Sequence, residues 1–91
     1  MRIISFKIQP KTASKIFDKH NVTQQEILDV LKDDNPMYRK VGGNQSLGMG
    51  VSRSRHITIF FEYDTFSKEA EITTAYPSSK KQIKFYKKVV K

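Results

Sequence analysis

Residues 56–64, HITIFFEYD, do most to limit what this chain can become. Ile57, Ile59, Phe61 and Tyr63 fall on one side of an extended backbone, and His56, Thr58, Phe60 and Glu62 on the other. β-Branched and aromatic residues in strict alternation predict a strand with one face in a core. Further runs read the same way. RIISFKI alternates with Ile4, Phe6 and Ile8 on one side, and MYRKV and AEITTAY are strand-like. In SLGMGVS, Leu47, Met49 and Val51 alternate with Ser46, Gly48, Gly50 and Ser52, which predicts one apolar face and one nearly bare face. GGNQ, SRSR and TFSKE supply polar turns between them.

Helices are signalled at three places. Pro10 opens the first, where its missing N–H costs nothing, and Ala13, Ile16, Phe17 and His20 form its apolar stripe. Thr23 and Glu26 make a capping box for a second, over about Gln24 to Lys32, burying Ile27, Leu28 and Leu31. Pro36 disfavours helix at Asn35 and ends it. Ser79 and Gln82 form a second capping box before a last helix, whose stripe is Ile83, Tyr86 and Val90. The order is strand, two helices, four strands, one helix, an α+β layout within a single domain.

Composition narrows the chemistry. The 91 residues carry 17 Lys+Arg against 9 Asp+Glu, a formal charge of +8, which favours a polyanionic or acidic partner over a merely solvated basic surface. There is no cysteine, so thiolate metal sites and disulfides are excluded. No apolar run approaches the roughly 18 residues that span a bilayer, and the N-terminal run suits a strand better than a signal peptide. The expectation is a soluble cytoplasmic protein without membrane attachment, metal or cofactor. No P-loop, GxGxxG or nucleophile elbow is present. One reaction needs none of these, the cleavage of RNA through its own 2′-hydroxyl. It asks for a base, an acid and a cation, which His, Tyr, Lys and Arg can supply. A bare glycine face on the sheet would let a ribose–phosphate backbone approach closely.

Each candidate has a plainer reading beside it. His20 lies on an apolar stripe and suits an interhelix histidine as well as a proton-transfer group. Tyr86 suits the core of the last helix, and Tyr76 ends a strand, where sites are displayed. His56 follows Arg53 and Arg55 on the less apolar strand face. Lys80 and Lys81 oppose the macrodipole of the last helix, a small cost tolerated if their charge is used. Lys84, Lys87 and Lys88 read as a solvated face.

Three segments resemble the BrnT-type toxin family. KHNVTQQEILDVLKDDNP is similar to its Lys-His-Gly-Val and acidic-helix segment, GVSRSRHITIFFEYD to its arginine and hydrophobic-strand segment, and ITTAYPSSKKQIKFY to its last strand and tyrosine-ended helix. A family of small domains ending in a Thr-x-Tyr strand matches about as well. The BrnT resemblance implies a RelE-like fold, in the group that also contains barnase and the colicin ribonucleases. It implies a cytoplasmic ribonuclease of a type II toxin–antitoxin pair, masked by a cognate antitoxin. Arg55 matches the family's arginine before the central strand, Tyr86 its tyrosine in the last helix, and Lys19-His20 its Lys-His pair. The chain departs from the family at three charges, with Tyr76 and Gln45 in place of arginines and Gln82 in place of a glutamate.

The resulting expectation is a metal-independent endoribonuclease toxin of RelE-like fold, β-α-α-β-β-β-β-α with an antiparallel sheet. His56, His20, Arg55, Tyr76 and Tyr86 are its candidate catalytic residues. Lys19, Arg39, Arg53, Lys80, Lys81 and Lys84 are candidates for holding RNA. Its partners would be RNA and an acidic or DNA-binding antitoxin. The alternative is a non-catalytic basic module that binds RNA, DNA or an acidic protein. A helix-turn-helix regulator is disfavoured by the acidic second helix.

Overall fold

The computed structural model describes residues 3–32 and 37–89. Five strands, β1 (Ser5–Lys7), β2 (Met37–Gly42), β3 (Gln45–Ser52), β4 (Arg55–Asp64) and β5 (Glu69–Pro77), form one sheet in the order β1-β5-β4-β3-β2. Helices α1 (Pro10–His20) and α2 (Gln24–Lys32) lie between β1 and β2 in sequence, and α3 (Lys80–Val89) follows β5. The expected element order and α+β class are therefore observed. The sheet differs from the expected one in a single pairing: β1 joins β5 in parallel, while every other pair is antiparallel.

The core lies between one sheet face and the first two helices. Ile57, Ile59 and Phe61 of β4 are fully buried, and Ile16, Val22, Ile27, Val30 and Leu31 pack over them. The N-terminal segment contributes Ile3, Phe6 and Ile8, whereas Ile4 is 64% exposed, so the alternation expected around Ile4 is displaced. Phe17 also leaves the expected stripe, being half exposed, and Val30 is buried where Leu28 is only partly so. The helix stop at Asn35-Pro36 and the Val90 end of the α3 stripe lie outside the described residues.

Strand β3 overturns one expectation. Its bare face does not await a ligand; it lies against α2. A β-carbon on Gly50 would stand 2.9 Å from Cγ1 of Val30, and one on Gly48 would stand 3.1 Å from Cδ2 of Leu31. The glycines let a helix approach the sheet, and Ser46 and Ser52 are buried beside them. Met37 and Met49, paired across β2 and β3, face the other way and share a shallow cavity with Phe85 of α3. Two layers thus cover the sheet, α1 and α2 on one face and α3 on the other.

Turns close the meander at sharp angles. Gly43 (φ 56°) supplies the left-handed residue between β2 and β3. Arg53 (φ 52°) and Ser54 (φ 68°) form the two-residue turn between β3 and β4, both left-handed as a type I′ hairpin requires. Among the described residues no helix is long and apolar enough to cross a membrane.

Candidate functional site

Antiparallel pairing sets Thr58 of β4 opposite Tyr76 of β5, and Ile57 opposite Pro77, so one strand's start and the other's end form a common rim. The chain then enters α3 directly. The Ser78 N–H donates to the His56 carbonyl at 2.9 Å, and the expected capping box is made: Ser79 N–H to Gln82 Oε1 at 2.8 Å, Gln82 N–H to Ser79 Oγ at 3.2 Å. Helix α1 ends at the same rim, because Asn21 adopts φ 55° and returns its N–H to the Phe17 carbonyl. His20 is consequently its last helical residue.

A bulge aims Tyr76. Phe60 pairs with Thr74 but Phe61 with Ile72, which leaves Thr73 as an extra residue, its hydroxyl donating to the Phe60 carbonyl at 3.0 Å. Before the bulge the even-numbered Ala70 and Ile72 are buried; after it the odd-numbered Ala75 is. That shift of parity brings Tyr76 to the α3 face, where without it the ring would enter the core.

The amide of Gln82 fixes the direction of the hydrogen bonds it makes around Tyr76. The Gln82 amide oxygen can only accept, so Thr58 donates to it at 3.3 Å. Thr58 and Ser78 also share a 2.7 Å hydrogen bond in which either hydroxyl can donate. The Gln82 nitrogen can only donate, so the Tyr76 oxygen accepts from it at 3.0 Å. The Tyr76 proton is therefore not used toward Gln82 and can be given to another acceptor. Thr58 is fully buried, and this network satisfies it.

Both histidines lie against tyrosines. The His20 and Tyr76 rings have centroids 5.9 Å apart, and Phe60 lies 6.0 Å from Tyr76 on the same strand face. His56 meets the edge of Tyr86 at 5.6 Å. The structure thus brings four of the five candidate catalytic side chains to the rim as two His–Tyr pairs.

Arg55, the fifth, is engaged in structure. One guanidinium nitrogen lies 3.2 Å from Glu26 Oε2, and the other donates to the His20 carbonyl at 3.3 Å. Glu26 also accepts from the Thr23 N–H at 3.1 Å and its side chain is only 10% exposed. Arg55 therefore joins the end of α1 to the start of α2, and positions His20. The remaining cations spread out. Lys19 lines a cavity of about 350 Å³ with His20, Thr73 and Thr74, beside the part of β5 beyond its pairing with β1. Lys80 is exposed at the start of α3, and Arg53 at its turn. Arg39 and Lys81 belong to the cavity under α3 that Phe85 and Gln82 also line, and Lys84 is exposed on the helix.

Charge is segregated along the sheet. Glu62, Asp64, Glu69 and Glu71 gather around a cavity at the opposite end of the β4–β5 hairpin. Among the described residues no three His, Asp or Glu side chains converge as a metal-binding group.

Sequence reading missed Gln82, Thr58, Ser78 and Phe60 as site residues, along with the Glu26–Arg55 pair. The Ser79–Gln82 spacing did mark the cap, but the second role of Gln82 depends on a strand that only the fold brings near.

Among the described residues the architecture is that of a small α+β protein, with three helices and a mostly antiparallel five-stranded sheet whose His- and Tyr-bearing rim closes on the last helix. Among solved structures it is similar to the Brucella abortus ribonuclease toxin BrnT, with a TM-score of 0.68 over 85% of this chain and 99% of that one. Identity is 10%, so the likeness shows a BrnT-like fold and no more. No family model and no curated protein matches the chain.

Proposed function

We propose that this chain is a toxin-like endoribonuclease. The observation that carries the reading is the Tyr76 hydroxyl, which accepts from Gln82 and so keeps its own proton to give, beside His20. The +8 charge and the withdrawal of four carboxylates to the far end of the hairpin favour a polyanionic substrate at this rim. The fold shared with a ribonuclease toxin supports the same class of reaction.

In this reading a base takes the proton from a ribose 2′-hydroxyl, the O2′–P bond forms, and the P–O5′ bond breaks. The departing 5′ oxygen takes its electron pair and a proton from an acid, leaving a 2′,3′-cyclic phosphate and a 5′-hydroxyl. His20 and His56 divide the base and acid roles. Tyr76 donates a hydrogen bond to the phosphate or to the leaving oxygen, and Tyr86 orients His56. Lys19, Lys80 and Arg53 hold flanking phosphates. The proposal includes a single domain over 1–91, action in the cytoplasm without a metal ion, and an acidic or DNA-binding antitoxin that covers the rim.

The test is incubation of the purified, folded chain with RNA in EDTA, alone and with ribosomes. Cyclic-phosphate ends that disappear in His20→Gln or Tyr76→Phe support the reading. Intact RNA in both settings overturns it. A second reading, a non-catalytic RNA-binding module, is favoured by the Glu26 carboxylate held against Arg55. It predicts salt-sensitive binding without any cleaved ends.

A further inference from the structure

We infer that Phe85 and Arg39 form a stacking subsite for one nucleobase of a single-stranded RNA, next to the His–Tyr rim. The inference rests on the RNA reading above but assigns a surface that the reading does not use. The Arg39 guanidinium lies over the Phe85 ring, 5.3 Å from its centroid. Beneath them Met37, Leu47 and Met49 floor a cavity of about 240 Å³, with Lys81 and Gln82 at its edge.

Three features select the occupant. Phe85 is 37% exposed and is held among cations, with no carboxylate in the cavity wall. One helical turn away on either side stand Lys81 and Lys88, so an incoming phosphate finds positive charge along the ring. Gln82 also links the cavity to the rim, lining the one and donating to Tyr76 at the other. A strand held at the rim would therefore place a neighbouring base within reach of Phe85. An apolar floor, an aromatic face and a cationic edge match a planar base that carries a phosphate, since every base has a face to stack and none need be read by its edge. When the base takes the ring, the guanidinium is released to the phosphate.

The experiment is titration of a fluorescein-labelled single-stranded hexaribonucleotide in EDTA against the full chain and three variants, at several salt concentrations. The 2′-hydroxyls of the oligonucleotide are methylated throughout, so that binding is read without turnover. Phe85→Leu keeps apolar cover for Met37 and Met49 but removes the aromatic face. It should weaken binding about tenfold with an unchanged salt slope. Phe85→Trp should bind at least as well as the parent. Arg39→Gln should flatten the slope of log K against log salt by about 0.7, the value for one phosphate on a single strand. Melting curves that match the parent exclude misfolding as the cause.

RNA binding that Phe85→Leu leaves unchanged overturns the subsite alone. A salt slope that falls in Phe85→Leu also overturns it. If the parent chain binds no RNA, subsite and functional reading fall together.

Discussion

Gln82 donates to the Tyr76 hydroxyl oxygen at 3.0 Å while its own amide oxygen accepts from the Ser79 N–H at 2.8 Å. One side chain therefore closes the first turn of α3 and sets the direction of the hydroxyl that faces the rim. The two roles are separable by chemistry, because the capping role needs only an acceptor and the Tyr76 role needs a donor.

Gln82→Glu should keep the cap and reverse the hydroxyl. A glutamate serves the capping box as well as glutamine, so urea denaturation should place this variant within about 0.5 kcal/mol of the parent. The introduced carboxylate cannot donate, so Tyr76 would turn its proton inward. Cleavage of RNA should then fall about 100-fold, as in Tyr76→Phe. Wild-type cleavage by Gln82→Glu would show that the direction of this network has no part in the reaction.

Arg55→Ala should leave the nearly buried Glu26 carboxylate without its cation. Arg55 itself is a third exposed, so the expected loss is roughly 1–2 kcal/mol, below that of a fully buried pair. Glu26→Gln keeps an acceptor for the Thr23 N–H and removes the charge. In that background the cost of Arg55→Ala should shrink, a coupling that a double-mutant cycle in urea measures directly.

The glycines of β3 should differ in their tolerance. At Gly50 an added methyl would meet Val30 at both Cγ1 and, at 3.4 Å, its carbonyl oxygen. Val30 is β-branched with a stiff χ1 in a helix, so the backbone must move, and Gly50→Ala should cost about 1–3 kcal/mol. At Gly48 the nearest atom is the end of the Leu31 side chain, which can yield, so Gly48→Ala should cost less. Thermal melts of the pair check the order.

Tyr38 gives the fold a pH dependence on the alkaline side. Its hydroxyl donates to the Leu31 carbonyl at 2.9 Å, and burial pushes its pKa above the ordinary 10.0. The neutral form is thus favoured in the folded state. Its contribution is complete below the unfolded value and is lost as pH rises through the folded one. Stability measured by urea titration should fall above pH 10.0. That fall should be smaller in Tyr38→Phe, which starts about 1 kcal/mol lower for want of the hydrogen bond.

Local signals made most of the fold legible. The alternation of Ile57, Ile59 and Phe61 located the central strand, and Thr23–Glu26 and Ser79–Gln82 located two helix starts. What escaped depends on partners distant in sequence. Alternation in SLGMGVS marks two faces but does not say which meets a helix, and the glycine face proved to be the tightly packed one. The Thr73 bulge has no composition cue, yet it decides where Tyr76 points. Glu26 was legible as a cap, while its ion pair with Arg55 spans 29 positions and needed the fold. The two His–Tyr pairs join residues whose types were suspected but whose pairing no spacing rule could supply.

The gathering of Glu62, Asp64, Glu69 and Glu71 around one cavity puts a patch of negative charge at the hairpin end of a chain whose formal charge is +8. A long polyanion draws such a particle in and also turns it, because the acidic end is repelled while the rest is attracted. The molecule would meet a nucleic acid already oriented, with its hairpin tip trailing. Productive collisions then rise above chance alignment, and added salt removes the torque along with the attraction.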